Sequence, residues 1–271
     1  MTRLLALLAL VSAFPALAEE SWTAPRGATA IAYPGETLTV RSDALGRDVE
    51  VRVHRPLLGA PPFPGAILYA LVDPAQGARI VAELRRRELE SSMFGVTVVT
   101  IGRPDFGREA WEPAEIADFS LDDRRLYSGE TIRARPDAFE RFLYDELVPA
   151  VEAGRPVTGE RILGGVGWAG GFVLRMAAKR PDGFGHHVAL DPMLQDGDVE
   201  SIIAAGVPHP EGHAGHLDVG YARGFPIPSS EMERLLEWLE ENGHGTNVAV
   251  DGDSDDMIAA VAGGESMVPP R

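Results

Sequence analysis

Four short runs limit the folds open to this chain more than any other feature: GAILYALVD, GVTVVTIG, ERILGGVG and GHHVALDP. The first is a continuous apolar run of the kind found in a strand buried on both faces, and the others read as further strands of the same sheet. Between them lie segments with helical spacing. ARIVAELRRRELESS turns Ile80, Val81 and Leu84 inward and sets an Arg face outward. PDAFERFLYDELVPAVEAG starts at Pro136 and ends at Gly154, as helices tend to, and GGFVLRMAAKRP follows ERILGGVG. Alternating strands and helices imply one doubly wound, mostly parallel sheet, in which ligands bind beyond the carboxyl ends of the strands.

The flanks fit that scheme. Before the first buried run, Thr37 to Val40 and Val49 to His54 alternate about a polar turn at Ser42 to Arg47, which predicts an antiparallel hairpin. After the fourth, HLDVGYARG and TNVAVDG read as strands, with SSEMERLLEWLEENG as a helix between them. Ser230 and Glu233 suggest a capping box there, and Gly243 a left-handed C-terminal residue. DDMIAAVAGG predicts a last short helix. The polar stretch from Arg103 to Arg135 has few periodic signals and reads as a lid or elaborated loop.

Residues 1–18, MTRLLALLALVSAFPALA, combine a basic start at Arg3, an apolar run of about eleven residues and small residues at Ala16 and Ala18. That is the pattern of a secretory signal peptide, and the run is too short for the ~20 residues of a spanning helix. Cleavage before Glu19 leaves 253 residues, 19–271, enough for one α/β domain, with the periplasm as the expected destination. Losing Arg3 moves the net charge from −16 to −17. A chain so acidic is a poor partner for nucleic acid or an anionic membrane. With no Cys there is neither a disulfide framework nor a thiol nucleophile.

The stretch GGVGWAGG, 164–171, crowds small residues into a strand-to-helix turn, where many hydrolases hold a nucleophile, yet contains no Ser, Cys or Asp. The motifs LGRDVEVRVHRP, ILYALVDP, VTVVTIGRPD, DAFERFLYDELVPAVEA, RILGGVGWAGGFVLRMAAKRPDGFG and DGDSDDMIAAV together resemble the putative-esterase family. That family has the α/β-hydrolase fold and includes the esterase D-like enzymes and periplasmic siderophore trilactone esterases. The resemblance runs from about Thr37 to Gly263. Its elbow, Gly-His-Ser-x-Gly-Gly, precedes an Arg-Pro-Asp-x-Phe motif that is intact here as Arg180 to Phe184. Counting back without gaps puts Gly167 at the nucleophile position, with Val166 where the preceding His belongs. A second register, shifted by two residues, reads Gly167 to Gly171 as G-x-S-x-G with Ala169 for Ser. Both leave the turn without a nucleophile.

The resemblance implies an acid after the next-to-last strand, where this chain has Gly220-Tyr221-Ala222-Arg223, and a His after the last, where Ser254 stands. It also implies an oxyanion hole built from the Trp168 N–H and a donor after ILYALVD, a loop containing Pro74, which has no N–H. Nucleophile, base and acid act as a unit, so departures at Gly167, Ser254 and Arg223 together imply lost triad chemistry.

Other clusters are weaker. His209, His213 and His216 have metal-like spacing, with His186 and His187 adding to the local count, but no second dense cluster completes a coordination sphere. A solvated loop and no metal are therefore expected. DGDSDD, 251–256, lacks the glycine and distal Glu of a calcium loop, since Asp256 and Ala262 stand there. Trp111, Phe119 and Tyr127 in the 103–135 segment either face a ligand or pack the segment down.

The expectation is an exported α/β-hydrolase-fold protein, catalytically degenerate, that binds a small ester-like or siderophore-like ligand or a protein partner. Val166, Gly167, Trp168, Asp73 and Tyr127 are the expected ligand-binding residues, with no cofactor. The alternative is an active hydrolase using Ser254 or a metal on His209, His213 and His216.

Overall fold

The computed structural model describes residues 35–57, 66–91, 95–101, 113–125, 129, 131–153, 160–208, 215–222, 230–252 and 258. Strands β1 (Glu36–Ser42) and β2 (Arg47–His54) form the predicted hairpin, closed by Gly46 at φ 66°, a left-handed position that glycine takes without strain. The buried runs become β3 (Ile67–Leu71), β4 (Thr97–Ile101), β7 (Arg161–Val166) and β8 (His186–Leu190), followed by β9 (His216–Ala222) and β10 (Gly245–Gly252). They join one eight-stranded sheet in the order β1-β2-β4-β3-β7-β8-β9-β10. The β1–β2 and β2–β4 pairs are antiparallel and the others parallel. Every residue of β3 is buried, as a central strand covered on both faces requires.

Helix α1 (Pro74–Ser91) starts directly after β3. Asp73 caps it: its Oδ1 accepts the Gln76 N–H at 2.8 Å, while Gln76 Oε1 faces the Asp73 N–H at 3.4 Å. Ile80, Val81 and Leu84 are buried as predicted, but the Arg face is not wholly outward. Arg85 is buried, donating to the carbonyls of His54 and Val96 and to Glu88, itself buried. A buried guanidinium is tolerable only when its donors are met in this way.

The segment predicted as a lid or loop, 103–135, is described at residues 113–125, 129 and 131–135. Its described residues hold helix α2 (Pro113–Phe119) and a two-stranded ribbon of β5 (Arg124–Arg125) and β6 (Thr131–Ile132). Fully buried Asp118 ties α2 to β2 through Arg47 and to the next helix through Arg135. Burial pushes its carboxyl pKa up against the pull of both guanidinium groups. Phe119 is buried, packed edge-on to Phe139 at 4.8 Å, so of its two predicted roles it takes the packing one.

Helix α3 (Pro136–Arg141) runs through a π-helical turn (Phe142–Leu147) into α4 (Val148–Glu152). Helix α5 (Trp168–Lys179) follows β7, α6 (Asp198–Ala205) follows β8, and α7 (Ser230–Glu241) follows β9. The last begins at Ser230 itself, one residue before the predicted capping box allows. It ends as expected, with Gly243 at φ 89° and the His244 N–H closing on the Leu239 carbonyl at 3.0 Å. The predicted leader at 1–18 lies outside the described residues, as does the predicted last helix apart from helical Ile258. No helix among the described residues is long and apolar enough to cross a membrane.

His187, on β8 and buried, has its pKa lowered from 6.5 to about 3, first by desolvation and then by the nearby His244 and His186. Because the folded pKa lies below the unfolded one, the unfolded chain binds the extra proton. The stabilising effect of a neutral His187 is therefore whole above about 6.5 and lost as pH falls toward 3, by up to roughly 1.4 kcal/mol per pH unit. Urea unfolding of the parent and His187→Leu between pH 7 and pH 4 should show a shallower pH slope in the variant. Identical slopes would remove His187 from the acid response.

Candidate functional site

The parallel strands end together, and their carboxyl ends bring the sequence-predicted residues to one edge of the sheet. Leu71 pairs with Gly165, Val166 with Leu190, and Leu190 with Gly220. Just beyond stand Asp73 after β3, Gly167 after β7 and Asp191 after β8, with Tyr221 one residue past Gly220 on β9.

Gly167 is the pivot. It caps α5 with φ 63° and ψ −121°, dihedrals that carry a penalty for any residue with a Cβ. Its N–H donates to the Leu190 carbonyl at 2.9 Å, and its own carbonyl accepts the Met193 N–H at 3.0 Å and the Gly171 N–H at 3.2 Å. The turn is thus stitched to the chain leaving β8. Gly170 serves close approach: a Cβ there would stand 2.9 Å from the Leu190 carbonyl oxygen and 3.1 Å from the Pro192 Cα, backbone atoms with little freedom to yield. Of the two registers the sequence allows, the strained turn residue is Gly167. Ala169 lies inside α5, fully buried.

Val166 ends β7 half-buried, and Trp168 opens α5 half-buried against the core. Asp73 reaches the same edge, but one of its carboxylate oxygens is engaged as the α1 cap. Pro74 is the first residue of that helix, and the Asp73 N–H faces the Gln76 side chain. Tyr127, Arg223, Ser254, His209 and His213 lie outside the described residues, as do Trp111 and residues 253–256 of the acidic turn.

His216 is exposed at the start of β9, the opposite end of the sheet. It pairs across strands with His186, ring centroids 5.1 Å apart, and His186 Nε2 lies 3.2 Å from Asp218 Oδ2. Among the described residues no three His, Asp or Glu side chains converge as a metal site would need.

Asp191 is the residue that sequence reasoning passed over. It is buried, and its φ of 44° makes it the one non-glycine residue with positive φ among those described. Its N–H donates to the Gly220 carbonyl at 2.8 Å. Tyr221, also buried, has its phenol pKa pushed up to about 12, first by burial and then by the negative charge of Asp191. The signal was an Asp-Pro pair closing the apolar run GHHVALDP, at the end of a different strand from the one where the family resemblance places its acid.

A cavity of about 610 Å³ lies at the far end of the sheet, where β7 begins and α5 ends, bounded by Tyr144, Glu152, Arg161, Lys179 and Arg180. Three of its charged side chains are paired: Arg161 forms two bonds of 2.7 Å to Glu152, and Lys179 is 2.6 Å from Glu140. Arg180 lies 4.1 Å from the centroid of the Tyr144 ring. This cavity is remote from the elbow.

The sequence matches the family model described as putative esterase over residues 42–213, more than half of the chain. The curated proteins give no match. Among solved structures, the siderophore hydrolase EstA from Aspergillus nidulans is similar with a TM-score of 0.66 at 17% identity, covering 91% of this chain and 97% of its own. An IroE-like serine hydrolase from Shewanella oneidensis gives 0.64 at 16%, covering 84% of this chain and 77% of its own. The BES protein from Bacillus cereus gives 0.63 at 13%, covering 88% and 97%. At these identities the likeness establishes the fold, an α/β-hydrolase fold.

A Cβ at position 167 would meet only Met193, with Sδ at 3.6 Å and Cγ at 3.9 Å, which is ordinary contact. Gly167→Ala therefore tests dihedral strain rather than crowding. A loss of about 1–3 kcal/mol in urea unfolding is expected, with an unchanged denaturant slope. A loss under about 0.5 kcal/mol would show that the turn relaxes away from these dihedrals.

Proposed function

Since this chain belongs to the putative-esterase family, we propose that it keeps the ligand-binding edge of an esterase without the triad chemistry, and binds an ester-like or siderophore-like ligand after export to the periplasm. The observation that carries this reading is Gly167. The elbow of an α/β hydrolase holds its nucleophile in a strained turn so that the attacking oxygen stands clear of the sheet. Here the residue with those dihedrals has no side chain at all. Glycine keeps the turn, its hydrogen bonds to Leu190 and Met193, and the entry angle of α5, while removing the attacking atom.

The sequence supplies the companion departures, Ser254 for the base and Arg223 for the acid. A nucleophile needs its base within hydrogen-bond reach, and the base needs an orienting partner, so the loss of all three removes the reaction and not merely its speed. What the edge can still do is hold a ligand. The α5 N-terminus presents backbone N–H groups and a partial positive charge toward an ester carbonyl, and half-buried Trp168 offers an apolar surface beside it.

The test uses activated p-nitrophenyl esters and a serine-reactive fluorophosphonate with the purified protein. No turnover above buffer and no labelling are expected. Turnover abolished by Ser254→Ala would place a nucleophile at 254, and turnover abolished by chelation would place a metal at the histidines. Turnover that survives both would show chemistry elsewhere on the edge. Each of these results overturns the non-hydrolytic reading. Binding is read separately, as a ligand-dependent rise in melting temperature, with stabilisation of about 2.7 kcal/mol at a hundredfold excess over Kd.

A further inference from the structure

We propose that the cavity where β7 begins and α5 ends is a binding site for a small organic monocarboxylate. Arg180 and Tyr144 hold the carboxylate there, and the surrounding valines and prolines hold its apolar body. The site is separate from the elbow, and the inference does not depend on what the Gly167 edge binds.

The first observation is the Arg180 guanidinium. Arg180 closes α5, its N–H donating to the Met176 carbonyl at 2.8 Å, and its side chain lies over the Tyr144 ring. The guanidinium makes no hydrogen bond among the described residues: Glu140 Oε1 stands 3.7 Å from its Nη1, a charge contact beyond hydrogen-bond reach. Its planar fork is open to an acceptor, and a carboxylate matches two parallel N–H groups. The other two cations of the wall are already met, Arg161 by Glu152 and Lys179 by Glu140 and Asp137.

The second is Tyr144. It stands in the π-helical turn, edge-on to Phe184 at 5.4 Å, which fixes the platform beneath Arg180. Its hydroxyl is buried and has no hydrogen-bond partner among the described residues. Burial keeps the phenol protonated against the pull of Arg180 and Arg161, and the Glu140 charge acts in the same sense as burial. At neutral pH it is an O–H donor without an acceptor, an unmet group that a carboxylate oxygen satisfies. Gly183 makes the room for it: a Cβ there would stand 2.5 Å from the hydroxyl oxygen.

The third is the wall itself. The volume of about 610 Å³ falls within the usual range of small-molecule sites. Val148, Pro149, Pro181 and Val207 supply apolar surface, and Val207 is 47% exposed. Its N–H bonds to the Ala178 carbonyl at 3.0 Å, which fixes that side to the end of α5. Two acids also line the cavity. Glu152 is taken up by Arg161 and by the Tyr69 hydroxyl at 3.1 Å, while Asp182 is exposed. A ligand with two negative charges is repelled by both acids. One carboxylate on an apolar body keeps the attraction to Arg180 with the least repulsion, which favours a monocarboxylate over inorganic phosphate.

The experiment titrates benzoate, its neutral isostere benzamide and inorganic phosphate calorimetrically into the full chain at neutral pH. Benzoate is expected to bind at least about tenfold more tightly than either. Arg180→Gln, at a half-exposed side chain, should abolish the preference for benzoate over benzamide. Tyr144→Phe keeps the platform, removes the donor and should reduce that preference. Val207→Glu sets a like charge in the wall at an exposed position, and should weaken benzoate while sparing benzamide. It reads the same site should Arg180→Gln fail to fold, which far-UV circular dichroism checks.

Equal affinity for benzoate and benzamide overturns the carboxylate assignment and leaves Arg180 as a cover for the Tyr144 ring. A preference that survives Arg180→Gln, or Val207→Glu where the former does not fold, overturns the location. Phosphate binding as tight as benzoate overturns the ligand class, and no detectable binding of benzoate overturns the site. None of these outcomes touches the reading of the elbow, which is decided by turnover and labelling.

Discussion

The peptide group of Gly167 is the constraint on which this edge depends. Its N–H reaches the Leu190 carbonyl, and its carbonyl receives the N–H groups of Gly171 and Met193. One peptide unit thereby fixes the end of β7, the first turn of α5 and the path of the chain leaving β8. Those bonds require φ 63° and ψ −121°, and they require α5 to lie close enough for Gly170 to touch the backbone at Leu190 and Pro192. The glycine richness of GGVGWAGG follows from two separate demands: one residue accepts unusual dihedrals, and its neighbours permit close contact between helix, strand and crossover. Neither demand is catalytic. Both would be met in a chain that had never carried a nucleophile, and so the family match is needed to connect the turn with ester chemistry.

The sheet was legible because its physics is local. A parallel strand covered on both faces must be apolar along its length, and ILYAL obeys that rule throughout, while TVVTI keeps its valines and isoleucine buried and its two threonines half-buried. Helix α7 was equally legible, from Met232, Leu235 and Leu239 on one face to Gly243 at its end. Arg85 was not, because a charge in a helical pattern reads as outward-facing unless its partners are known. Those partners are two carbonyls from other strands' ends and a Glu one turn away. Helix α2 is hidden in the sequence for a similar reason. Its anchor is Asp118, held by Arg47 and Arg135 from distant parts of the chain, a contact that no local pattern announces.

At the site, the sequence identified which residue stands at the turn, but geometry was needed to choose between the registers. The dihedrals belong to Gly167, and Ala169 is a core residue of the helix. Asp191 carries no local sequence signal beyond an Asp-Pro pair, and the family resemblance points instead to the end of β9. A left-handed φ at a non-glycine residue depends on how β8 hands the chain to the segment bonded at Gly167, which composition does not encode.

Backbone strain is distributed unevenly along this edge, and adjacent strand ends contrast. At the end of β7, where an esterase places its most strained residue, glycine removes the penalty. At the end of β8, with the two turns joined through Leu190 and Met193, an aspartate sits at positive φ although glycine would sit there more easily. It is also buried, one residue along from where Tyr221 leaves Gly220 on β9. Stability alone favours relief at both places. Relief at 167 and strain at 191 mark the two turns as fixed by different means: glycine at the first, and the hydrogen bond from the Asp191 N–H to the Gly220 carbonyl at the second.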